Sequence, residues 1–190
     1  MTKRFIAIAG NIGVGKSTLV SLLSAKLGWE PVMEAVTENP YLADFYADMN
    51  RWSFHSQVFF LVRRLQQHHD LLQRPSPILQ DRSVYEDAEI FAFNLFKQGC
   101  MSKDEWRTYC DLYETMISAI KPPDLLIYLN CPIKTLKKRI ARRGRAIEKN
   151  VPDEYIKRLE RYYKRWLSKY DKSPVLELST ERMDYIEDFI

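Results

Sequence analysis

Residues 10–17 read Gly-Asn-Ile-Gly-Val-Gly-Lys-Ser, and no other stretch restricts the fold of this chain so tightly. They satisfy G-x-x-x-x-G-K-[ST] at every fixed position. Only six glycines occur in the 190 residues, and three of them (Gly10, Gly13, Gly15) fall inside this octapeptide. Such a concentration marks backbone that must take positive φ or pass close to something a side chain would obstruct. The flanks differ in period: apolar Phe5–Ala9 suits a strand, and Lys16–Leu27 suits a helix. A glycine-lined loop that opens a helix aims N–H groups and the positive end of a helix dipole at an anion. Lys16 adds a full charge for β- and γ-phosphates, and Ser17 offers an oxygen to Mg²⁺. Gly10, Asn11, Ile12, Gly13, Val14, Gly15, Lys16, Ser17 and Thr18 are therefore expected to cradle a nucleoside triphosphate.

The rest of the chain has the pattern that such a loop requires. Short apolar runs are expected as strands at Phe5–Ala9, roughly Glu30–Val36, Ile78–Gln80, Leu125–Leu129 and Val175–Leu178. Helical periods fill Lys16–Leu27, Asn50–Leu72, Val84–Phe96, Lys103–Ile120, Ile133–Arg142 and Asp153–Tyr170. In the last of these, Tyr155, Ile156, Leu159, Tyr162, Trp166, Leu167 and Tyr170 trace an apolar stripe. Strands alternating with helices predict one α/β domain, with a parallel sheet flanked by helices. At 46% hydrophobic and 28% charged residues the composition is that of an ordinary globular protein. The longest apolar run, Ile90–Phe96, is broken by Asn94 and falls far short of a bilayer span. No charged-then-apolar leader opens the chain, and Cys100, Cys110 and Cys131 lack paired or metal-type spacing, which fits a cytoplasmic setting. His55, His68 and His69 share one helix with no ligand-like partners and are expected at the surface.

Charge is spread unevenly. Residues 131–170 carry 14 of the 29 Lys+Arg but four of the 25 Asp+Glu, a local net of +10 against −6 elsewhere. A solvated helix face, a phosphate partner or a nucleic acid would each suit that segment. The net charge of +4 is too small to favour nucleic acid by itself.

A guanine-reading Asn-Lys-x-Asp is absent, as is a hydrophobic run ending in Asp-Glu. Instead Pro77-Ile78-Leu79-Gln80 leads into Asp81-Arg82-Ser83, an acid, a base and a hydroxyl at a strand's carboxyl end. In open α/β sheets that end faces the ligand, so Asp81 is placed to hold the metal and Arg82 the oxygens exchanging a phosphoryl group. Glu34, near the end of the second strand, is a candidate general base for an attacking hydroxyl. Glu30 and Glu38 compete for the role. A nucleoside monophosphate kinase shares the loop and the Asp-Arg but needs extra basic groups and no base at Glu34. A non-catalytic nucleotide-binding module is the other alternative.

With these residues assembled, nearly the whole chain, from about Arg4 to Leu178, resembles the deoxynucleoside kinases. Gly10–Thr18 resembles that family's phosphate loop, and Glu34 falls about eighteen residues after Lys16, where the family carries its general base. Asp81-Arg82-Ser83-Val84-Tyr85-Glu86-Asp87 resembles (E/D)-R-S-V-Y-x-D, whose acid helps hold Mg²⁺ and whose arginine holds the reacting 5′ oxygen. Arg139, Arg143 and Arg145 resemble an arginine-rich lid, about residues 142–151, that closes over the donor phosphates. The resemblance implies a three-layer fold with a five-stranded parallel sheet in the order 2-3-1-4-5. It also implies ATP as donor, a deoxynucleoside as acceptor, a homodimer, and a deoxynucleoside triphosphate as candidate feedback inhibitor. Neither a nucleic acid nor a membrane is an expected partner.

On the acceptor side, Gln57 and Arg64 lie seven apart and so project from one helix face. Polar groups among Val58, Leu61 and Leu65 are costly to bury unless something hydrogen-bonds to them. The resemblance gives Gln57 the base edge, pairs Arg64 with Asp87, sets Phe91 against the base, and puts Tyr46 and Glu148 on the sugar 3′-hydroxyl. An Arg–Asp pair suits an exocyclic amine or a carbonyl beside a ring nitrogen and crowds the thymine methyl. Deoxyadenosine or deoxyguanosine is the expected substrate, with deoxycytidine next. The sequence departs from animal members after Glu34, in Ala-Val-Thr-Glu-Asn-Pro-Tyr-Leu, and at Ser56, where they place a second aromatic. Both departures favour the bacterial purine branch.

Overall fold

The computed structural model describes residues 4–34, 38–73, 75–144 and 152–183. Along the chain the elements are β1 (Phe5–Gly10), α1 (Lys16–Leu27), β2 (Glu30–Val32), α2 (Leu42–Ala47), α3 (Met49–Gln73) and β3 (Ile78–Asp81). Then come α4 (Val84–Glu86), a π-helical segment (Asp87–Ala92), α5 (Phe93–Lys97), α6 (Lys103–Ile117), β4 (Leu125–Asn130), α7 (Ile133–Arg143), α8 (Asp153–Leu167) and β5 (Val175–Ser179). The backbone groups into two compact units. Met1–Glu34, Pro75–Ser83 and Pro122–Ile190 make the first, and Ala35–Arg74 with Val84–Lys121 make the second.

The first unit is built on the expected sheet: five parallel strands in the order β2-β3-β1-β4-β5. β3 is buried at all four positions, its two polar residues Gln80 and Asp81 included; the continuous apolar run expected of a strand covered on both faces is Leu126–Leu129 of β4. Side chains alternate across the pleat. One face sends Ile8, Leu79, Ile127 and Leu129 against Leu19 and Val20 of α1, Leu136 and Ile140 of α7 and Ile156 of α8. Each such side chain contributes about 1.5–3 kcal/mol when fully buried. The other face carries Ala7, Ala9, Leu126 and Tyr128, all buried. β2 ends at Val32, short of the expected Val36, and positions 35–37 lie outside the described residues.

On α8 the buried stripe is Ile156, Leu159, Tyr163 and Trp166, spaced three, four and three residues apart. The expected stripe had Tyr162 in place of Tyr163. A heptad drifts only about 20° around a helix, so Tyr163, seven after Ile156, returns to the inward face. Tyr162 is displaced outward and is half-buried beneath the Arg165 guanidinium.

The second unit is helical. α3 buries Gln57, Leu61, Arg64, His68 and Leu71, a four-three-four-three spacing that defines its inward face. His68 thus corrects the surface expectation: it lies four residues after Arg64 and is 6% exposed. His55 is half-buried among Tyr41, Trp52 and Phe54, and only His69 is exposed. The helix expected over Val84–Phe96 is interrupted by the wider turns of Asp87–Ala92, a feature that often accompanies functional sites. α6 begins at a capping box, with Ser102 and Glu105 satisfying each other's backbone N–H. No helix among the described residues is long and apolar enough to cross a membrane.

Candidate active site

Parallel register brings the first unit's polar groups to one sheet edge. Ile8 pairs with Asp81 and Gly10 with Leu129, so the glycine loop and the Asp-Arg pair leave adjacent strands at their carboxyl ends. The loop glycines serve the protein's own packing as well as an anion. A Cβ on Gly10 would lie 2.5 Å from the Leu129 carbonyl oxygen, and one on Gly13 would lie 2.7 Å from Ile140 Cγ1. At φ +146° and +80° a side chain would also be strained at both positions. α1 starts directly from the loop with no side-chain cap and no acid in its first turn, which leaves its dipole open to an anion.

Within the loop, Lys16 is buried and donates to the carbonyls of Gly10 (2.8 Å) and Asn11 (3.1 Å). The Asn11 side chain turns inward, donating to the Ile156 carbonyl at 3.1 Å and accepting from Ile12 N–H at 2.8 Å. Val14 is buried in the core, and its carbonyl accepts from Thr180 Oγ1 and from Arg139 Nη1, each at 3.1 Å. Of the loop's side chains, then, Asn11 and Val14 hold the loop in place; Ile12 is half-buried and Thr18 exposed.

Ser17 Oγ donates to Asp81 Oδ2 at 2.5 Å. Two hard oxygen donors this close fit a cation such as Mg²⁺, which takes one or two protein oxygens and completes its shell with water and phosphate. Among the described residues no cluster of three or more His, Cys, Asp or Glu could form an all-protein cage. The Ser17–Asp81 pair fits a cation that completes its shell with phosphate oxygens and water.

Arg82 is the one non-glycine residue at positive φ (68°) among the described residues. Its amide donates to the Ile8 carbonyl at 2.9 Å, which holds the strained turn. The turn directs Nη1 to 3.1 Å from Glu34 Oε1. The competitors are placed differently. Glu30 pairs with Ile78 at the amino ends of their strands, and Glu38 is ion-paired with Arg63 on the surface of the second unit.

In the second unit Arg64 Nε and Asp87 Oδ2 are 3.1 Å apart, with side chains 4% and 5% exposed. Gln57 is buried on the same face of α3, and Phe91, one turn along from Asp87, is half-buried. Tyr109 is fully buried, its hydroxyl has no hydrogen-bond partner among the described residues, and burial, then the Asp87 carboxylate, pushes its pKa well above the phenol range. Tyr46 is exposed and rests edge-on against Phe45. The two sequence departures meet: Asn39 Nδ2 donates to Ser56 Oγ at 2.9 Å, so the missing aromatic is replaced by an anchor for the loop before α2.

Arg139 spends its guanidinium inside the first unit, on the Val14 carbonyl, Thr180 Oγ1 (2.9 Å), the Thr180 carbonyl (2.6 Å) and the Met183 carbonyl (2.7 Å). Arg143 is exposed on the last turn of α7. Arg145 and Glu148 lie outside the described residues, as does most of the expected lid. Sequence reasoning missed Tyr163 and Thr180. The three-four-three apolar spacing Ile156, Leu159, Tyr163, Trp166 is the signal that points to Tyr163; no local signal marks Thr180.

The model of the family described as deoxynucleoside kinase matches residues 6–189. A deoxyadenosine/deoxycytidine kinase from Bacillus subtilis is 40% identical over 185 residues, covering 96% of this chain and 85% of that protein. A deoxyguanosine kinase from Lactobacillus acidophilus is 39% identical, covering 95% of this chain and 82% of that protein. Among solved structures, the deoxyadenosine kinase from M. mycoides with bound dATP superimposes with a TM-score of 0.85 at 31% identity, covering 96% of this chain and 93% of that one.

Proposed function

This chain belongs to the deoxynucleoside kinase family, and from that premise we propose that it transfers the γ-phosphoryl group of ATP to the 5′-hydroxyl of a purine deoxynucleoside. The observation that carries the reading is the Glu34–Arg82 contact at 3.1 Å. It sets a carboxylate and a cation together in the unit that also holds the glycine loop and the Ser17–Asp81 pair. A base is of use only to an acceptor that must lose a proton, as an alcohol must.

The loop amides, Lys16 and the α1 N-terminus hold the triphosphate. Ser17 and Asp81 would hold Mg²⁺, which when bound would neutralise charge on the phosphate oxygens. Glu34 accepts the proton of the 5′-hydroxyl as its oxygen bonds to the γ-phosphorus and the bond to the ADP oxygen breaks. Arg82 stands beside that oxygen and stabilises the charge that develops there. Arg143 and Arg145 extend the positive field as a lid, and Arg139 steadies the loop through Val14. For the acceptor, Gln57, Arg64 and Asp87 read the base, Phe91 packs on it, and Tyr46 and Glu148 take the 3′-hydroxyl. All these groups serve a single kinase domain, cytoplasmic and homodimeric, with a deoxynucleoside triphosphate as feedback inhibitor.

The buried Arg64–Asp87 pair supports a base with an exocyclic amine or a carbonyl beside a ring nitrogen, and the similarity to deoxyadenosine and deoxyguanosine kinases supports a purine among these. A planar donor fork beside an acceptor suits a base edge that alternates donor and acceptor. A substrate panel tests this. Deoxyadenosine or deoxyguanosine should be phosphorylated fastest, deoxycytidine next and thymidine slowest. Thymidine outpacing all three would overturn the assignment, and acceptance of deoxynucleoside monophosphates alone would favour a monophosphate kinase.

A further inference from the structure

The Gly10 carbonyl accepts two side-chain donors. Lys16 Nζ lies 2.8 Å from its oxygen, and Tyr163 Oη, from α8, also lies at 2.8 Å. Tyr163 is fully buried, with its ring between Tyr128 (centroids 5.7 Å apart) and Trp166 (6.3 Å), so the hydroxyl has little freedom to turn elsewhere. Seven residues earlier on the same helix, the Ile156 carbonyl accepts from Asn11 Nδ2 at 3.1 Å. α8 therefore grips the first two residues of the loop from one face, and those two residues are the ones whose carbonyls seat the Lys16 ammonium.

We propose that Tyr163 is a positioning residue for Lys16, fixing the Gly10 carbonyl against which the ammonium is seated. The proposal rests on the reading that this loop holds ATP. A lysine stem has four rotatable bonds and no fixed direction of its own. Two carbonyls of the loop supply that direction, Gly10 at 2.8 Å and Asn11 at 3.1 Å. A carbonyl already held by a buried hydroxyl cannot rotate away when the anion pulls on the lysine.

Tyr163→Phe removes the hydroxyl and keeps the ring packing. It should weaken Mg²⁺–ATP binding, measured by calorimetry with no acceptor present, by roughly five- to tenfold. The KM for the deoxynucleoside should stay within about twofold, since the hydroxyl's bond is to the loop at Gly10. Lys16 and Tyr163 back each other up at one oxygen, so their effects on folding should be coupled. The Tm lost through Tyr163→Phe should be larger in a Lys16→Met chain than in the native chain. Unchanged ATP affinity, or a Tm loss equal in the two backgrounds, would overturn the proposal, because a hydroxyl that merely supports the fold gives both. Absence of nucleoside phosphorylation by the native chain would count against the kinase reading alone. The Tm comparison needs no ligand and decides the coupling in either event.

Discussion

Glu34→Gln is expected to lower kcat by about 10²- to 10⁴-fold, the usual contribution of a positioned general base, while ATP affinity changes little. Glutamine keeps the size of the side chain and can still accept from Arg82, whose Nη1 is 3.1 Å from Glu34 Oε1. It cannot take a proton from a sugar hydroxyl. The loss should therefore fall on kcat and on kcat/KM alike, as when an interaction made in the transition state is removed. Steady-state kinetics with ATP and deoxyadenosine measure it. A variant that keeps full turnover would show that Glu34 is not the base.

Asp87→Ala should be costly to the fold itself. The Arg64 guanidinium and the Asp87 carboxylate face each other at 3.1 Å with side chains 4% and 5% exposed. Removing one partner of a buried ion pair costs about 3–5 kcal/mol. For a chain of this size that corresponds to a Tm drop on the order of 10 °C. Replacing both partners by apolar residues, Arg64→Met with Asp87→Leu, should restore most of the lost stability. If the pair reads the base edge as proposed, the double variant should not regain phosphorylation. Thermal unfolding of the single and double variants, set beside their activity, separates the pair's structural role from its recognition role. If the single variant unfolds with the native chain, the buried pair contributes nothing to the fold.

The glycine spacing and the opposite periods on either side of it sufficed to place β1, the loop and α1, because a tight anion-binding turn admits few sequences. The sheet was legible for a related reason: strands buried on both faces, such as Leu126–Leu129 within β4, read as unbroken apolar runs. Elements set by tertiary contact were harder to see. α2 is six residues long and falls between Pro40 and α3, too short for a period to show. The π-helical turns at Asp87–Ala92 differ from an α-helix by one residue per hydrogen bond, which six residues of pattern cannot resolve. His68 stood in the polar run Arg63–Asp70, and only the packing of α3 shows that it shares the inward face with Arg64. On α8 two adjacent tyrosines left the stripe ambiguous by one position, and the one that was passed over carries the bond to Gly10. Arg139 is expected from the resemblance as a phosphate ligand, whereas its guanidinium bonds to the backbone oxygens of Val14, Thr180 and Met183, which no side-chain pattern announces.

The plainest test of the enzyme's chemistry is the identity of the product made from ATP and deoxyadenosine. Phosphorus NMR of the reaction should show deoxyadenosine 5′-monophosphate rising in step with ADP, and 2′,5′-dideoxyadenosine, which lacks the 5′-hydroxyl, should receive no phosphate. ATP consumed without a 5′-monophosphate, or phosphate attached at the 3′ oxygen instead, would contradict a glycine-loop kinase whose Glu34 deprotonates the 5′-hydroxyl.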